Sequence, residues 1–577
     1  MVLVKGLTRF VSNGIRALCQ RGLIIKAVTI TQVSMATDKG PNEIIEGVVC
    51  KIGDIKENEM KVFDLGPDGG QVLLVHQQGK INAIGTKCSH YGAPLITGAL
   101  GKGKVRCPWH GACFNIGTGD IEDFPGLDSI PCYQVQVLPD GGVKVRANKS
   151  DLEANKRVKG MCPRDKRNAV TYAVIGGGPA SANCVEALRQ EGFTGRIVMI
   201  CKEPYNPYDR IKVSKVLDSE PEKIQLRSNE FYAENNIELM KGVSAVKLDT
   251  KLKQVELSNN QKLKYDKVFI ATGSTPRKLE IPGYDLENVL TLRNIDDTKA
   301  LLKKLGPNKT ANVVIWGSSF IAMEAAASCI NRAKSVTVVA RSNLPFKTQY
   351  GDSVGQRIMD LFREKGVYME MPNHIEELVG SNGKVTHAIL RDNSKHEADI
   401  VIMALGSTFN TEFLKGSGVT LNSDGTVPVD KFLETNVKGV YAGGDIAFAP
   451  VTVEEDRKFA IGHWQLAQYH GNTAAHNMLG KSKPIKSVPF FWTMLFGKGF
   501  RYAGHCEKYD DVLIFGDLIE LNFTAYYCDG PNVKAVLGTD NTPALFAEFI
   551  FEGNKLAKTE VIRSTFDWKL KVPKGKV

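Results

Sequence analysis

The chain has 577 residues, of which 43% are hydrophobic and 24% are charged, which excludes a mostly disordered protein and allows several domains. The net charge of +11 is concentrated at the two ends of the chain, so nucleic acid is not an expected partner. Its 12 cysteines are too dilute for a disulfide scaffold, and no uncharged apolar run is long enough to predict a membrane-spanning helix.

Residues 1–40 are predicted to be an N-terminal extension. In a helical projection, Lys5, Arg9 and Arg16 lie opposite an apolar face, and the first acidic residue is Asp38. A basic, acid-free amphipathic helix is typical of a mitochondrial transit peptide. We therefore expect a location in the mitochondrion; the alternative is a disordered extension on a protein that stays in the cytoplasm.

Residues 41–148 contain short apolar runs separated by turn signals, so they are predicted to form a small all-β domain. Two metal-binding clusters lie within it, with Cys88 and His90 in the first and Cys107 and His110 in the second. Zinc is one candidate metal, but zinc fingers space their ligand pairs differently. The two clusters resemble the boxes of the Rieske [2Fe–2S] domain. This resemblance implies that the cysteines hold one iron and the histidines the other.

One departure from the Rieske pattern concerns the loops that carry the ligands. Respiratory Rieske proteins join these loops by a disulfide, whereas Ala93 and Trp109 stand at the corresponding positions here. The domain therefore resembles the soluble ferredoxin type, for which a lower potential is expected.

Residues 149–168 are polar and are predicted to be a linker. From residue 169 onward, apolar strand-like runs alternate with helical periods, which indicates α/β layers with parallel sheets. Two glycine-rich units begin at residues 173 and 313. We therefore predict two dinucleotide-binding domains.

The first glycine-rich turn follows a buried strand and opens a helix. Its first glycine permits the tight turn, and its second lets the backbone approach a pyrophosphate at the helix N-terminus, while Ser181 replaces the third glycine. Glu203 follows the next strand and is placed to accept a hydrogen bond from ribose. The residues predicted to bind a dinucleotide here are Gly176, Gly178, Pro179, Ala180, Ser181 and Glu203.

Further segments resemble flavoproteins of the ferredoxin-reductase type and occur in the same order as in that family. They are residues 207–215, 265–273, 440–445, 463–465 and 491–492. The resemblance implies FAD as a cofactor. It also implies contacts with that cofactor from Arg210, Lys215, Ala245, Ala271, Thr272, Gly273, Gly444, Asp445 and Trp464.

The second glycine-rich turn keeps Gly317 and Glu324 of the family pattern, but Ser319 and Ala322 replace two glycines. Each added side chain narrows the approach of the backbone to a nicotinamide nucleotide. The next strand leads to Arg341, where NAD-selective relatives often have an acid. Arg341 could meet a 2′-phosphate, so NADH versus NADPH stays open.

Lys215 and Glu324 are candidate catalytic residues. The resemblance implies that they form an ion pair beside the flavin, although they are far apart in sequence. A lysine near the flavin would stabilise negative charge on the reduced ring, and the glutamate would keep the lysine in place.

Missing motifs exclude two related enzyme classes. No Cys-x-x-Cys or Cys-x4-Cys follows the flavin turn, which argues against a dithiol–disulfide reductase. His463, His470 and His476 have the wrong spacing for the mononuclear iron of Rieske oxygenases and are expected to be structural.

The combination of these parts resembles the apoptosis-inducing factor 3 family. It implies a multidomain protein with an all-β Rieske domain, an α/β flavoprotein with two dinucleotide-binding domains and an α+β C-terminal domain. The predicted bounds are 41–148 for the Rieske domain, 169–290 with 400–485 for FAD binding, 291–399 for NAD(P) binding and 486–577 for the C-terminal domain.

The activity implied by this resemblance is electron transfer from NAD(P)H through FAD and a [2Fe–2S] cluster. The acceptor is unidentified, either a small protein or a quinone-like molecule, and the family name links the protein to apoptosis. The sequence does not decide whether the protein forms a homodimer. One alternative is a redox-sensing signalling or binding protein with slow turnover, which Ser319 and Ala322 favour. The other is the reductase component of a multicomponent oxygenase.

Overall fold

The computed structural model describes residues 43–66 and 70–572, so the predicted N-terminal extension and its transit peptide lie outside the described residues. From Ile44 onward the described chain forms one compact unit. Within the described ranges, no helix is long and apolar enough to cross a membrane.

The N-terminal domain consists of antiparallel sheets, as predicted. The larger sheet contains, in spatial order, Ile44–Lys51, Gly142–Asn148, Cys132–Val137, Lys80–Ile84, Gly70–Gln77 and Glu59–Leu65. The smaller sheet contains Ala99–Gly101, Lys104–Arg106, Cys113–Asn115 and Ile121–Asp123. Leu73 and Val75 pack towards the ligand loops, while Val72 and Leu74 fill a second core on the other face. Their shared strand is therefore buried on both sides.

The first α/β domain contains a parallel sheet whose Val- and Ile-rich strands are buried on both faces. In spatial order the strands are Ile237–Lys241, Arg196–Cys201, Thr171–Ile175, Lys267–Ile270 and Val440–Ala442. The main helices are Pro179–Gln190 and Trp464–Met478, and shorter ones are Lys212–Lys215, Pro221–Ile224 and Asn229–Glu234. Short antiparallel strands are Ala245–Asp249, Gln254–Leu257 and Lys262–Lys264. A further small sheet contains Val427–Pro428, which pairs in parallel with Ala447–Pro450, and Lys458–Phe459, which is antiparallel to Ala447–Pro450. The predicted dinucleotide residues follow the carboxyl ends of the parallel strands.

The second α/β domain repeats this plan. Its parallel strands, in spatial order, are Val289–Leu290, Ile400–Met403, Asn312–Trp316, Ser335–Val339 and Tyr368–Glu370. The helices are Ile295–Leu305, Phe320–Cys329 and Lys347–Glu364, and the antiparallel strands are Ile375–Ser381, Lys384–Leu390 and Lys395–Glu397. The predicted boundaries at 290/291 and 399/400 are wrong in detail, because the strands on either side of them pair within this sheet. The antiparallel pair Ser274–Pro276 and Ser407–Phe409 joins the two domains.

The C-terminal domain is an antiparallel sheet covered by a helix. Its strands, in spatial order, are Phe490–Leu495, Lys498–Gly504, Asn532–Gly538, Asn522–Asp529 and Asp511–Asp517. The covering helix is Thr542–Phe551, and the chain continues through Leu556–Ala557, Lys558–Arg563 and the 3₁₀ turn Asp567–Lys571.

The strand Phe490–Leu495 lies between the N-terminal domain and the α/β domains. Because side chains alternate along a strand, its two faces contact different partners. Phe490 packs on the second ligand loop and Trp492 on His110. Thr493, on the other face, donates a hydrogen bond to Glu324.

Residues 149–168 differ from the free linker that their composition predicts. The helix Lys149–Glu153 packs on the N-terminal domain, and Arg157 donates to the carbonyl oxygens of Ile130 (3.2 Å) and Thr118 (2.9 Å). Further along, the backbone N–H of Cys162 bonds to the first α/β domain. The polar groups of this segment therefore hydrogen-bond to the N-terminal domain and to the first α/β domain.

Candidate active site

The two predicted metal-ligand boxes form the same kind of turn. In each, the backbone N–H of the cysteine donates to a carbonyl five residues later, from Cys88 to Ala93 (2.8 Å) and from Cys107 to Ala112 (2.7 Å). The glycine before each alanine closes the turn at a φ of 78° and 82°, which strains other residues. The repeated glycine in the sequence therefore fixes both loops in one shape.

The four predicted ligands approach one another as two pairs. The Nδ1 atoms of His90 and His110 are 3.2 Å apart, and the thiols of Cys88 and Cys107 contact each other. Burial lowers the pKa of His90 to about 3 and that of His110 well below its usual range, so both imidazoles are neutral. Among the described residues, no group of three or more His, Cys, Asp or Glu side chains is placed to hold a single metal ion. A pair of cysteines and a pair of histidines instead suit a cluster of two irons.

A loop from the same domain covers the first box. The Ser89 hydroxyl donates to the carbonyl of Asp128 at 2.6 Å, and a Cβ on Gly126 would lie 3.8 Å from the Cβ of His90. The donor set and its enclosure therefore fit a [2Fe–2S] cluster. When bound, such a cluster exchanges single electrons.

The first glycine-rich turn has the shape that a pyrophosphate requires. Gly176 has a φ of 135°, and a Cβ there would lie 2.2 Å from the carbonyl oxygen of Ala271. A Cβ on Gly178 would meet no described atom within 4 Å, so the turn faces open space. The Ser181 hydroxyl is buried and has no hydrogen-bond partner within the described ranges.

The helix after this turn lies unusually close to the helix that begins at Trp464. Pro179 is the first residue of the first helix, where its missing N–H costs nothing. A Cβ on Gly471 would lie 2.0 Å from the carbonyl oxygen of Ala180, so this contact requires glycine. The close contact brings Trp464, which is half-buried, to the same side of the sheet as the turn.

Glu203 anchors a hydrogen-bond group beside the turn. Its carboxylate accepts from Arg210 at 2.7 Å and from the Tyr208 hydroxyl at 2.5 Å. The backbone N–H of Gly242 donates to the carbonyl of Glu203, which places the strand that starts at Ala245 next to this group. Glu203, the residue predicted to contact ribose, is therefore held in place by Tyr208 and Arg210. Of these two neighbours, only Arg210 was among the predicted site residues.

Asp445 and Gly444 lie at the end of the last strand of the first α/β sheet. The Asp445 carboxylate accepts from Arg293 at 2.8 Å and from Ser274 at 3.0 Å. The N–H of Gly444 donates to Nδ1 of His470 at 3.2 Å. His470 therefore has a structural role, as predicted.

Thr272 and Gly273 follow Ala271 at the end of the neighbouring strand. The Thr272 hydroxyl donates to the carbonyl of Asn410 at 2.7 Å, and Gly273 has a φ of 64°. The three predicted residues thus form a tight turn opposite Gly176. The two turns therefore approach each other closely, since a Cβ on Gly176 would meet the Ala271 carbonyl.

Lys215 and Glu324 form the predicted ion pair. The Lys215 ammonium lies 2.7 Å from the Glu324 carboxylate, which is 3% exposed. Two further donors hold the carboxylate, the hydroxyls of Ser214 (2.5 Å) and Thr493 (2.7 Å). Neither hydroxyl was predicted to bond Glu324, because they come from different domains. Ser214 lies in the 207–215 segment, but nothing in the sequence relates it to Glu324.

The second glycine-rich turn has the same backbone as the first. Gly317 has a φ of 132°, and a Cβ there would lie 2.4 Å from the carbonyl oxygen of Ala404. Ser319 donates a long hydrogen bond to that oxygen at 3.4 Å, and Ala322 is fully buried. Arg341 is exposed beyond the end of the next strand.

A cavity of about 190 Å³ lies beside the second glycine-rich turn, and its walls include Ser319 and Met403. Arg210 and Arg293 also line it, and they donate to Glu203 and Asp445. The cavity therefore reaches from the second turn to the arginines that bond two residues predicted to contact a cofactor.

Aromatic side chains connect the metal-ligand loops to the α/β domains. The Trp492 ring is 4.4 Å from the ring of His110 and 6.0 Å from that of His90. Tyr91 stacks on His90, with 3.9 Å between the ring centroids. Its hydroxyl donates to Asp209, which lies in the 207–215 segment predicted to contact the flavin. The metal site and the predicted flavin site are thus neighbours within one unit.

A buried ionic group holds the N-terminal domain in this position. Arg106 is 1% exposed and bonds Glu548 of the C-terminal domain at 2.8 Å and Asp123 at 3.2 Å. Asp123 also accepts from Gln465 (2.7 Å) and Ser487 (3.1 Å). This group was not predicted from the sequence, because its residues come from separate parts of the chain. Charged residues are rarely buried unless they are paired, and here the pairs form only in the folded protein.

Comparison with known proteins gives two family matches. The model of the pyridine nucleotide-disulphide oxidoreductase family matches residues 170–471, and that of the Rieske [2Fe-2S] domain matches residues 46–134. A solved structure titled as the ferredoxin reductase for the CYP199A2 system from Rhodopseudomonas palustris covers 70% of this chain and 99% of its own, with a TM-score of 0.66 and 24% identity. The covalent putidaredoxin reductase–putidaredoxin complex matches equally well, with a TM-score of 0.66. These structures establish the fold.

Curated relatives extend the match to both parts of the chain. Apoptosis-inducing factor 3 of Homo sapiens is 40% identical over 528 residues, which are 90% of this chain and 86% of the relative. The ferredoxin–NAD(+) reductase subunit of the benzene 1,2-dioxygenase system of Pseudomonas putida is 30% identical over 68% of this chain and 93% of the subunit. The chain therefore belongs to the apoptosis-inducing factor 3 family and is an FAD-dependent NAD(P)H oxidoreductase with a Rieske [2Fe–2S] domain.

Proposed function

We propose that this chain is a self-contained electron relay, which oxidises NAD(P)H and delivers electrons to a separate one-electron carrier. When bound, FAD accepts a hydride from NAD(P)H, and the cluster carries one electron at a time. The contact of Trp492 with His110, at 4.4 Å between ring centroids, supports this proposal most strongly. The next residue on the same strand, Thr493, bonds Glu324, the partner of Lys215. One strand thus contacts both predicted cofactor sites, so no encounter between separate proteins would be needed.

The residues that would hold the cofactors follow from their chemistry. Cys88 and Cys107 offer thiolates and His90 and His110 offer neutral nitrogens, in pairs that match two irons. The turn that begins at Gly176 offers backbone N–H groups to a pyrophosphate. Glu203 and Asp445, each bonded to an arginine, would accept hydrogen bonds from the ribose and ribityl hydroxyls.

In this proposal Lys215 is the catalytic residue and Glu324 positions it. The lysine ammonium would stabilise negative charge on the flavin edge, where a cation is worth most in a water-poor site. Glu324 keeps the ammonium from turning away, and the hydroxyls of Ser214 and Thr493 keep the carboxylate from following it.

Trp492 has the complementary role of filling the space between the metal-ligand loops and the flavin site. Its ring excludes water from the histidine side of the cluster, and it packs at 4.4 Å from His110. Arg501, its partner across the strand pair, donates to the Trp109 carbonyl at 3.1 Å and so ties the second loop to this strand.

Rapid-freeze EPR after mixing with NADH tests the relay. If both sites lie in one chain, the rate at which the reduced-cluster signal appears should stay constant over about a tenfold range of protein concentration. A rate proportional to concentration would mean that electrons cross between molecules and would refute the proposal. Cys107→Ser should abolish the signal while NADH still bleaches the flavin band, which controls for cluster-independent reduction.

Two other functions predict different results in further measurements. The oxygenase-component hypothesis is favoured by the similarity to the Pseudomonas putida reductase subunit, and it predicts that an added oxygenase component accelerates NADH oxidation. The sensor hypothesis is favoured by Ser319 and Ala322 and predicts slow flavin reduction with a long-lived nucleotide complex.

We also propose a mitochondrial location with a role connected to apoptosis, supported by the basic leader and the name of the human relative. A fluorescent fusion should colocalise with mitochondria, and removal of residues 1–37 should redirect it to the cytosol. A full-length fusion found in the cytosol would support the alternative location.

A further inference from the structure

Two aromatic side chains beside the ligand histidines reach the surface. Tyr91, directly after His90, is 41% exposed, and Trp109, directly before His110, is 38% exposed. Both rings are near the His110 ring, at 5.5 Å for Tyr91 and 6.4 Å for Trp109. Tyrosine and tryptophan are enriched at protein interfaces, where the ring is covered and the polar group finds a partner.

Cations surround this aromatic pair. Lys156 is exposed, and the ammonium of Lys212 lies 5.9 Å from the centre of the Tyr91 ring. Arg157, the residue after Lys156, exchanges backbone hydrogen bonds with Ser129 at 2.8 and 2.9 Å. The carbonyl before Ser129, that of Asp128, accepts from Ser89 beside His90, so this stretch of chain runs next to the first ligand loop. The Arg501 guanidinium donates to two backbone carbonyls, those of Trp109 (3.1 Å) and Thr539 (2.9 Å), rather than to a carboxylate.

Asp209 is the carboxylate that contacts Tyr91 and Lys212. It is 7% exposed, it accepts the hydrogen bond of the Tyr91 hydroxyl, and its oxygen is 4.0 Å from Lys212. Its charge therefore faces the interior of the protein. Lys156 is exposed and Lys212 is half-buried, so positive charge reaches solvent beside Tyr91.

We propose that Tyr91, Trp109, Lys156 and Lys212 form the docking surface for an acidic one-electron carrier protein. This inference rests on the proposed relay and names the class of its acceptor. One NAD(P)H would reduce two carriers by one electron each, with release of NAD(P)⁺ and one proton. Tyr91 is stacked on a cluster ligand and also exposed, so a carrier that covers it comes close to the cluster edge.

Positive charge around an apolar centre suits a short-lived redox complex. Opposite charges speed the encounter and orient the partners, while a small apolar contact leaves the complex free to dissociate. Electron-transfer complexes belong to the small class of interfaces. A neutral quinone would gain nothing from the lysines, and a basic carrier would be repelled by them.

The soluble domain of cytochrome b5, which is acidic, is the test probe, with basic cytochrome c and neutral coenzyme Q1 as comparisons. In the holoenzyme, NADH-driven reduction of cytochrome b5 should slow as ionic strength rises from about 0.02 to 0.2 M. The double variant Lys156→Glu/Lys212→Glu should lower kcat/KM for cytochrome b5 by about tenfold or more and leave coenzyme Q1 reduction unchanged.

Lys264→Glu provides the matched control, because Lys264 is an exposed strand residue of the first α/β domain. It should leave all three rates unchanged, and all variants should keep their flavin absorbance and cluster EPR spectrum. Equal loss of cytochrome b5 reduction in Lys264→Glu would overturn the docking surface, as would a double variant that reduces cytochrome b5 at the original rate.

The same experiment separates this inference from the relay itself. If NADH fails to bleach the flavin in stopped flow, the relay is wrong. If the flavin bleaches and coenzyme Q1 is reduced but cytochrome b5 is not, the relay stands and the acceptor class proposed here is wrong.

Discussion

The two glycine-rich turns share a backbone but differ in their surroundings. The first glycine of each has nearly the same φ, 135° at Gly176 and 132° at Gly317, and an added Cβ would meet a backbone carbonyl oxygen in both, at 2.2 Å and 2.4 Å. The residue that replaces a later glycine, Ser181 or Ala322, is fully buried in both. The turns themselves are therefore equivalent.

What differs is the group beyond the following strand. Next to the first turn, Glu203 is bonded by Arg210 and Tyr208 and is partly covered by them. Next to the second, Arg341 is exposed to solvent. One turn is surrounded by a fixed hydrogen-bond group, as a resident cofactor requires, whereas the other is open, as a nucleotide that must exchange in each turnover requires.

The largest effect should come from exchanging the first glycine of each turn for alanine. Neither backbone can accept a Cβ, because the clash is with a carbonyl oxygen that cannot turn away and the φ is positive. Gly176→Ala should give protein with little FAD, seen as loss of the flavin absorbance. Gly317→Ala should keep FAD but bind NAD(P)H poorly, seen as a large rise in KM.

Gly160→Ala serves as the control for these variants, because a Cβ there would meet no described atom within 4 Å and its φ is not positive. It should leave both FAD content and KM unchanged. If Gly317→Ala instead lost FAD, the two sites would not be separable and the distinction between resident and exchanging nucleotide would fail.

The next effect concerns Lys215 and Glu324, which link the two sites. Lys215→Ala should slow flavin reduction by NADH about tenfold, which corresponds to about 1.4 kcal/mol of activation free energy. Loss of one partner of a fully buried pair costs about 3–5 kcal/mol in stability, but the effect should be smaller here. Lys215 is 21% exposed, and the Glu324 carboxylate keeps the hydroxyls of Ser214 and Thr493.

Stopped-flow bleaching of the flavin measures this rate. Lys215→Arg should recover most of it, since a guanidinium can also pair with Glu324. Equal rates in the wild type and in Lys215→Ala would show that the ion pair is structural and has no role in the reaction.

Local motifs made much of this site predictable. The ligand boxes and glycine-rich turns are contiguous in sequence, and each implies a backbone shape that the structure has at Gly92, Gly176 and Gly317. The ion pair of Lys215 and Glu324 is non-contiguous, and it was predictable because the family resemblance supplied it.

Contacts between domains were not predictable in this way. The bonds of Arg106 to Glu548 and of Tyr91 to Asp209 join residues that no local pattern relates. The polar composition of residues 149–168 indicated a linker, because composition does not distinguish side chains that face water from side chains that bond to neighbouring domains. The strand Ile400–Met403 was assigned to the wrong domain, since a buried parallel strand has the same apolar pattern in either sheet.

A smaller effect is expected at Arg341. If its guanidinium meets a 2′-phosphate, Arg341→Ala should raise KM for NADPH by about fivefold and leave KM for NADH unchanged, because only the phosphate loses a charge-assisted hydrogen bond. Steady-state kinetics with both nucleotides at constant ionic strength give the two values. An equal change for NADH and NADPH would mean that Arg341 contacts the shared part of the nucleotide or shapes the strand end.

The smallest effect is expected from Ser319→Gly, which restores the family glycine at the second turn. Ser319 precedes the helix Phe320–Cys329 without capping it through its side chain, so its loss should cost only a few tenths of a kcal/mol in stability. The added room should let the backbone approach the nucleotide more closely and lower KM for NAD(P)H about twofold, with kcat unchanged. Gly317 and the bond partner of Ser319, the carbonyl of Ala404, are unaffected, so any change reports on the serine alone.

A higher KM would show that the hydroxyl binds the nucleotide instead of restricting it. In that event the serine would no longer support slow nucleotide exchange, and the sensor hypothesis would lose its main structural argument.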